Sequence, residues 1–294
     1  MTEKVTGIYA PLSTPFVDEQ VSLERLRENV VRYSRTQLAG FFALGSNGEV
    51  MSLDEAEKVK ILETVLAHKA PHQKVLAGAG CESTRATIAL GKKVAAMGAD
   101  FVSVLTPSYF KKALTDDALV AHYRRVADAL PVPVFIYNAP PFTGVNLSPQ
   151  VIARLAAHGN IAGMKDTSPG TSSRYLEVCG DDFSLLAGNA GKLFSALVLG
   201  ASGGVLSFAD AFPDPCCRLY EAFVAGDLAE ARRLHYRISG ANRYISGAFG
   251  VAGVKAAMEL AGYHGGPPRP PLLPLTDENR AAVRRVLEDA GLLR

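Results

Sequence analysis

Lys165 is the residue in this chain best suited to covalent chemistry, because it closes the apolar run Ile161-Ala162-Gly163-Met164. Such a run reads as a strand that would carry an ammonium group toward an apolar interior. Burying a charge is costly, and lysine commonly escapes by losing its proton. At the reference pKa of about 10.4, only about one amine in 2,500 is neutral at pH 7. A fall of ~3 units, equivalent to ~4 kcal/mol, would supply a nucleophile. A neutral amine facing a ketone forms a Schiff base, whose iminium is an electron sink for making or breaking the neighbouring C–C bond. The competing structural role is an ion pair with Asp166, or an exposed lysine at a strand end.

Other reactive residues also sit where short apolar runs end. Tyr137-Asn138 closes the run beginning at Pro133, and Tyr137 offers a phenol for moving protons as a carbinolamine forms and collapses. Its alternative is packing, with the hydroxyl satisfied locally. Ser46 and Asn47, flanked by Gly45 and Gly48, would present a hydroxyl and backbone N–H groups to a carboxylate. Gly45-Ser46-Asn47-Gly48-Glu49 would equally serve as a tight turn entering the next helix. Lys165-Asp166-Thr167 and Gly188-Asn189 complete the series of polar strand ends.

Several other mechanisms lack their residues. His68 and His72 stand four apart with Pro71 between them, and His122, His158, His235 and His264 have no carboxylate at ligand spacing, so no metal site is expected. No P-loop or G-x-G-x-x-G turn occurs. Cys81, Cys179, Cys216 and Cys217 fit neither a disulfide framework nor a C-x-x-C pair and read as buried reduced thiols. Lys plus Arg total 31 against 29 for Asp plus Glu, and basic residues cluster only in pairs such as Lys92-Lys93. That balance argues against nucleic acid and for a small-molecule partner. The N-terminal stretch, with Glu3, Lys4, Pro11 and Pro15, lacks a leader's apolar core. The longest apolar stretch, Leu193 to Phe208, is broken by Ser195, Gly200, Ser202, Gly203 and Gly204. A cytoplasmic protein away from membranes is the expectation.

These residues need a scaffold, and 294 residues, 48% hydrophobic, suffice for a large core. Eight short β-branched or aromatic runs begin near Gly7, Phe41, Lys74, Phe101, Pro133, Ile161, Phe183 and Gly203. Helical patterns separate them. Ser52-Leu53-Asp54-Glu55 reads as a capping box, Ser148-Pro149 as an N-cap with proline at the first helical position, and Gly40, Gly98 and Gly159 as C-cap glycines. The runs are apolar on both faces, as in a parallel sheet covered by helices. Eight βα units predict a (β/α)8 TIM barrel, whose chemistry belongs at the C-terminal strand ends. The barrel is expected over residues 1–225 and a C-terminal helical extension over 226–294. In the extension, helices near Asp227–Arg237, Val251–Leu260 and Asp277–Leu292 flank an extended Pro-rich link, GGPPRPPLLPL.

The ordered motifs GSNGE (Gly45 to Glu49), YNAPPFTG (Tyr137 to Gly144) and GMKDTS (Gly163 to Ser168), with APLSTPF, LAGNAG and GASGGVLS, resemble the dihydrodipicolinate synthase/N-acetylneuraminate lyase family over about residues 5–265. These are class I pyruvate-type aldolases. The resemblance implies Lys165 as the Schiff-base lysine, Tyr137 as the proton-relay tyrosine and Ser46 as the relay hydroxyl. Tyr109 would be lent to a neighbouring subunit's active site. Gly45, Ser46, Asn47 and Gly48 would receive the 2-oxo acid carboxylate, with Phe142, Thr143, Gly188, Asn189 and Leu206 as further substrate-binding positions. It also implies a homotetramer built as a dimer of dimers, and no cofactor.

Several positions bear on the substrate. Dihydrodipicolinate synthases carry an arginine after the Y-N-x-P-x stretch that clamps the aldehyde's carboxylate, and Phe142 stands there. Losing a charge-assisted clamp costs about 2–5 kcal/mol of binding. Sialic acid lyases carry an acidic pair after the seventh strand, where this chain has Asn189-Ala190. Asn47 and LLAGNAG are similar to the 4-hydroxy-2-oxoglutarate aldolase branch, with 2-oxo-3-deoxy sugar acid aldolases close by. The expectation is therefore a lyase cleaving a 4-hydroxy-2-oxo acid to pyruvate and an aldehyde. The alternatives are 4-hydroxy-tetrahydrodipicolinate synthase activity with a clamp supplied elsewhere, for example Arg174, and a non-catalytic 2-oxo-acid-binding regulatory relative.

Overall fold

The computed structural model describes residues 4–170, 172–180 and 182–293; Glu3, one of the charges in the N-terminal stretch, lies outside them. Eight parallel strands alternate with helices. They are β1 (Gly7–Ala10), β2 (Gly40–Ala43), β3 (Lys74–Gly78), β4 (Phe101–Leu105), β5 (Val134–Asn138), β6 (Ile161–Asp166), β7 (Ser184–Ala187) and β8 (Gly203–Val205). They close into a barrel in the order β1-β8-β7-β6-β5-β4-β3-β2, the (β/α)8 architecture expected. Every residue of β1, β2 and β5 to β8 is buried, the pattern of strands covered on both faces. The intervening helices are α1 (Leu23–Tyr33), α2 (Glu55–His68), α3 (Thr84–Ala96), α4 (Asp116–Ala129), α5 (Pro149–Ala156), α6 (Ser172–Val178), α7 (Leu193–Val198) and α8 (Pro213–Val224).

Of the five helix-end signals, two fall where the structure has them and three do not. Ser148 caps α5, accepting from Val151 N–H at 3.2 Å, with Pro149 in the first turn. The capping box exists two residues later than expected. Asp54, not Ser52, caps α2, accepting from Glu57 N–H at 2.8 Å while the Glu57 carboxylate accepts from Asp54 N–H at 3.0 Å. Val50–Ser52 instead forms a single 3-10 turn, which leaves Ser52 outside the helix. Gly98 adopts the left-handed φ of 107° of a helix-ending glycine. Gly40 does not; it is the buried first residue of β2, and α1 ends on Ser34. Gly159 does not either, because α5 ends on Ala157. A hairpin of Phe16–Val17 with Gln20–Val21 adds to the expected elements. Its turn places Asp18 and Glu19 at φ 48° and 61°, conformations usually announced by Asn-Gly or Asp-Gly.

After α8 come α9 (Leu228–Asn242), a π-helical turn at Arg243–Gly247, α10 (Ala248–Leu260) and α11 (Asp277–Asp289). The chain divides into two compact units. One holds Lys74–Gly188, Ser195–Gly204 and the N-terminal residues through Thr6; the other holds Gly7–Gln73, Asn189–Phe194 and Val205–Arg294. Among the described residues, no helix is long and apolar enough to cross a membrane, and no group of three or more His, Cys, Asp or Glu could hold a metal ion. Cys216 and Cys217 are buried as expected, whereas Cys81 and Cys179 are half-buried. Burial pushes the Cys179 thiol up to about 11 and Cys217 to about 12, so these two are thiols rather than thiolates at neutral pH.

Candidate active site

In the first unit, β5 and β6 run parallel with Tyr137 opposite Lys165 and Asn138 opposite Asp166. Side chains alternate along a strand, so Lys165 and Tyr137 share one face and Asn138 and Asp166 the other. The geometry follows that rule. Lys165 Nζ lies 4.4 Å from the centroid of the Tyr137 ring. Both residues are buried, at 5% and 4% exposure. On its other side β6 leaves no room for a side chain at Gly163, which pairs with Ser184 of β7. A Cβ there would stand 2.1 Å from Ser184 O, and real contacts of that kind do not occur.

Behind this face, Asp166 is held by neutral donors. Its Oδ1 accepts from Asn138 Nδ2 and Ser168 N–H, both at 3.0 Å, and its Oδ2 accepts from Ser172 Oγ at 2.8 Å. Asn138 Nδ2 also donates to Asn146 Oδ1 at 2.9 Å, and its Oδ1 accepts from Leu147 N–H at 3.1 Å. Tyr175 on α6 donates to Leu147 O at 2.6 Å, closing the network. A buried network satisfied in this way fixes both strand ends, and through them Lys165 and Tyr137. Asp166 faces away from Lys165, against the reading that the two exist to pair.

The other candidates of this unit lie on loops after the strands. Phe142 is 65% exposed on the short helix Pro140–Thr143, while Thr143 is buried, accepting from Val145 N–H at 3.1 Å. Gly188 presses on β6, donating its N–H to Asp166 O at 2.8 Å; a Cβ there would meet the Thr167 methyl at 2.4 Å. Tyr109 is 79% exposed and packs edge-on to Phe110 with centroids 4.9 Å apart. Its loop hangs on Glu82, whose carboxylate accepts from Tyr109 N–H at 2.9 Å and from Ser108 N–H at 3.0 Å. Burial raises the Glu82 carboxyl, but the hydrogen bonds from Tyr109 and Ser108 outweigh it and hold the group below its ordinary value. Arg174, the alternative clamp, is exposed on α6.

In the second unit, the Gly45–Glu49 turn follows β2. Ser46 and Asn47 are half-buried between the buried Gly45 and Gly48. Thr14 Oγ1 donates to Gly48 O at 2.7 Å, and Glu49 N–H donates to Ser46 O at 3.1 Å. Asn47 Nδ2 is a buried donor with no protein partner, an arrangement costing about 1–3 kcal/mol unless a ligand accepts from it. Asn189 Oδ1 accepts from Gly191 N–H at 2.7 Å and from Asn242 Nδ2 at 3.4 Å. Leu206 is fully buried, its N–H on Tyr9 O at 3.0 Å.

A sequence profile of the dihydrodipicolinate synthetase family matches residues 4–290. The chain belongs to that family. Membership makes it an enzyme, a carbon–carbon lyase of the aldolase type. It is 34% identical over 289 residues to the 4-hydroxy-tetrahydrodipicolinate synthase of Pelobacter propionicus, covering 98% of this chain and 99% of that one. The 4-hydroxy-tetrahydrodipicolinate synthase of Methanopyrus kandleri is 34% identical over 295 residues, covering 99% and 98%. Among solved structures, YagE, a prophage protein of the dihydrodipicolinic acid synthase family from E. coli K12 in complex with pyruvate, superposes with a TM-score of 0.91. It is 28% identical, over 98% of this chain and 99% of that one.

Sequence reasoning missed the buried partner of the Gly45–Glu49 turn. Glu49, its last residue, is buried and ion-paired with Lys255 of α10 at 2.5 Å, each side chain 1% exposed. Burial lowers the Lys255 ammonium from its ordinary value, and Glu49 opposes the shift. The available signal was Lys255 itself, one charge inside the apolar stretch Gly250-Val251-Ala252-Gly253-Val254 and Ala256-Ala257-Met258.

Proposed function

We propose that Lys165 forms an iminium with pyruvate and that the chain makes or breaks the C–C bond at the former methyl carbon. The observation carrying this reading is the buried Lys165 amine over the Tyr137 ring, with Asp166 turned to the opposite face. The amine adds to the C2 carbonyl, giving a carbinolamine that loses water to the iminium. Loss of a C3 proton gives an enamine, whose C3 attacks an aldehyde carbon; hydrolysis then frees product and lysine. Tyr137 is the group beside the nitrogen that carries protons in these steps. Ser46 is the relay hydroxyl and Gly45–Gly48 the carboxylate site. The pyruvate bound in YagE supports the choice of 2-oxo acid. Tyr109 is proposed to act in a neighbouring subunit of a homotetramer, and the cytoplasm is the proposed compartment.

For the second substrate, the names of the relatives support condensation with aspartate semialdehyde, as in 4-hydroxy-tetrahydrodipicolinate synthase. That outweighs the sequence-based preference for cleavage. Phe142, in the arginine's place, favours the second reading, retro-aldol cleavage of a 4-hydroxy-2-oxo acid. Borohydride reduction in the presence of pyruvate should add one reduced adduct to the intact mass of the wild type and none to Lys165→Ala. An unchanged wild-type mass would refute the iminium. Coupled assays of condensation with aspartate semialdehyde and of pyruvate release from 4-hydroxy-2-oxo acids then separate the two reactions.

A further inference from the structure

The Gly45–Glu49 turn is bracketed by two residues in the left-handed region, Leu44 at φ 58° and Glu49 at φ 54°. Neither is glycine, so each conformation costs on the order of 1–2 kcal/mol and persists only where the surroundings over-determine it. For Glu49 those surroundings come from outside the turn. One carboxylate oxygen lies 2.5 Å from Lys255 Nζ, and the other accepts from Arg269 N–H at 2.8 Å. Lys255 also donates to Pro267 O at 2.9 Å and lies 4.5 Å over the Phe16 ring. The Arg269 guanidinium grips the Glu57 carboxylate and Ser52 O, which fixes the strap after α10 against the start of α2.

Exchanging a buried ion pair for apolar residues is often neutral or stabilising, so stability alone does not explain Lys255 and Glu49. What such a pair fixes well is register. A glutamate at left-handed φ, clasped on both oxygens, has its backbone direction set, and Ser46 to Gly48 directly precede it. Gly48 tolerates little drift, since even a Cβ there would lie 3.0 Å from Leu12 O. The unpartnered Nδ2 of Asn47 lies in the same turn.

We propose that Lys255, Glu49 and the Arg269 N–H form a brace through which the C-terminal helices set the geometry of the Ser46–Gly48 turn. Lys255 and Glu49 are positioning residues for the carboxylate of the 2-oxo acid. This assignment of ligand rests on the proposed pyruvate reaction; the brace itself does not. The decisive variant is the double exchange Glu49→Gln with Lys255→Met, which leaves no lone buried charge and keeps an acceptor for Arg269 N–H.

Two readouts test it, pyruvate titration in the borohydride trap and amide hydrogen exchange of the peptide spanning Gly45–Val50. We expect the pyruvate concentration for half-maximal trapping to rise at least tenfold, with the full adduct still formed at saturation. Exchange of that peptide should speed at least tenfold while β5 and β6 stay protected. A folded double variant with half-saturation and turn exchange both as in the wild type overturns the brace. A role in stability alone lowers the melting temperature and leaves both readouts in place, which also overturns it. If the wild type traps no pyruvate, the proposed function fails, and turn exchange still decides the brace.

Discussion

At the scale of single residues, Phe142 stands where the resemblance implies an arginine. An aromatic side chain, 65% exposed, cannot form the bidentate bond of a guanidinium to a carboxylate. Restoring the charge should therefore favour an anionic aldehyde. Phe142→Arg is expected to lower KM for aspartate semialdehyde at least tenfold, out of the roughly 2–5 kcal/mol such a clamp supplies, with KM for pyruvate unchanged. Steady-state kinetics with both substrates checks this, and an unaltered KM for aspartate semialdehyde would remove position 142 as a determinant. Lys165 shows the complementary lesson. Its apolar context correctly implied burial, while the place of its neighbour Asp166 depended on which face of the strand each side chain takes. Strand alternation contained that answer once Lys165 and Asp166 were both placed in β6.

At the scale of elements, the loop bearing Tyr109 depends on one carboxylate. Glu82 has a lowered pKa in the folded chain, so its ionised form is the one the fold favours. A depressed carboxyl contributes order above its unfolded pKa, near the ordinary 4.5, and loses that contribution as pH falls through the folded value. The amide resonances of Ser108 and Tyr109 should accordingly move together in a titration with a midpoint below 4.5, and Glu82→Gln should abolish the transition. A midpoint at or above 4.5 would contradict this hold on the loop. Elements also show why local patterns misplace ends. Ser52 and Asp54 both precede an apolar-periodic stretch, and the 3-10 turn at Val50–Ser52 decides which becomes the cap.

At the scale of the whole molecule, the Pro-rich link is a strap rather than a spacer. Arg269 ties it to Glu57 of α2 at 2.6 Å, more than two hundred residues away along the chain. The side-chain hydrogen bond from Arg269 holds the Glu57 carboxyl below its ordinary value, against a smaller opposing effect of burial. The sign is again that of a depressed acid, with stability present above about pH 4.5 and lost as pH falls through the folded value. Glu57→Gln is expected to reduce the slope of melting temperature against pH below that point, measured by calorimetry. An unchanged slope would show that the strap does not couple to acid unfolding.

The sequence by itself determined the eight βα units and the family, and it singled out Lys165, Tyr137 and the Ser46–Asn47 turn as candidates. Burial on both strand faces, turn residues and short ordered motifs are local, and local patterns survive in a linear reading. Only the tertiary structure decided what holds those residues in place. Asn138 on Asp166, behind Lys165 and Tyr137, and Lys255 on Glu49, at the end of the turn, join segments remote in sequence. No periodicity marks such pairs. A buried charge finds its partner across the fold, where desolvation makes the pairing obligatory and the chain's own order gives no sign of it.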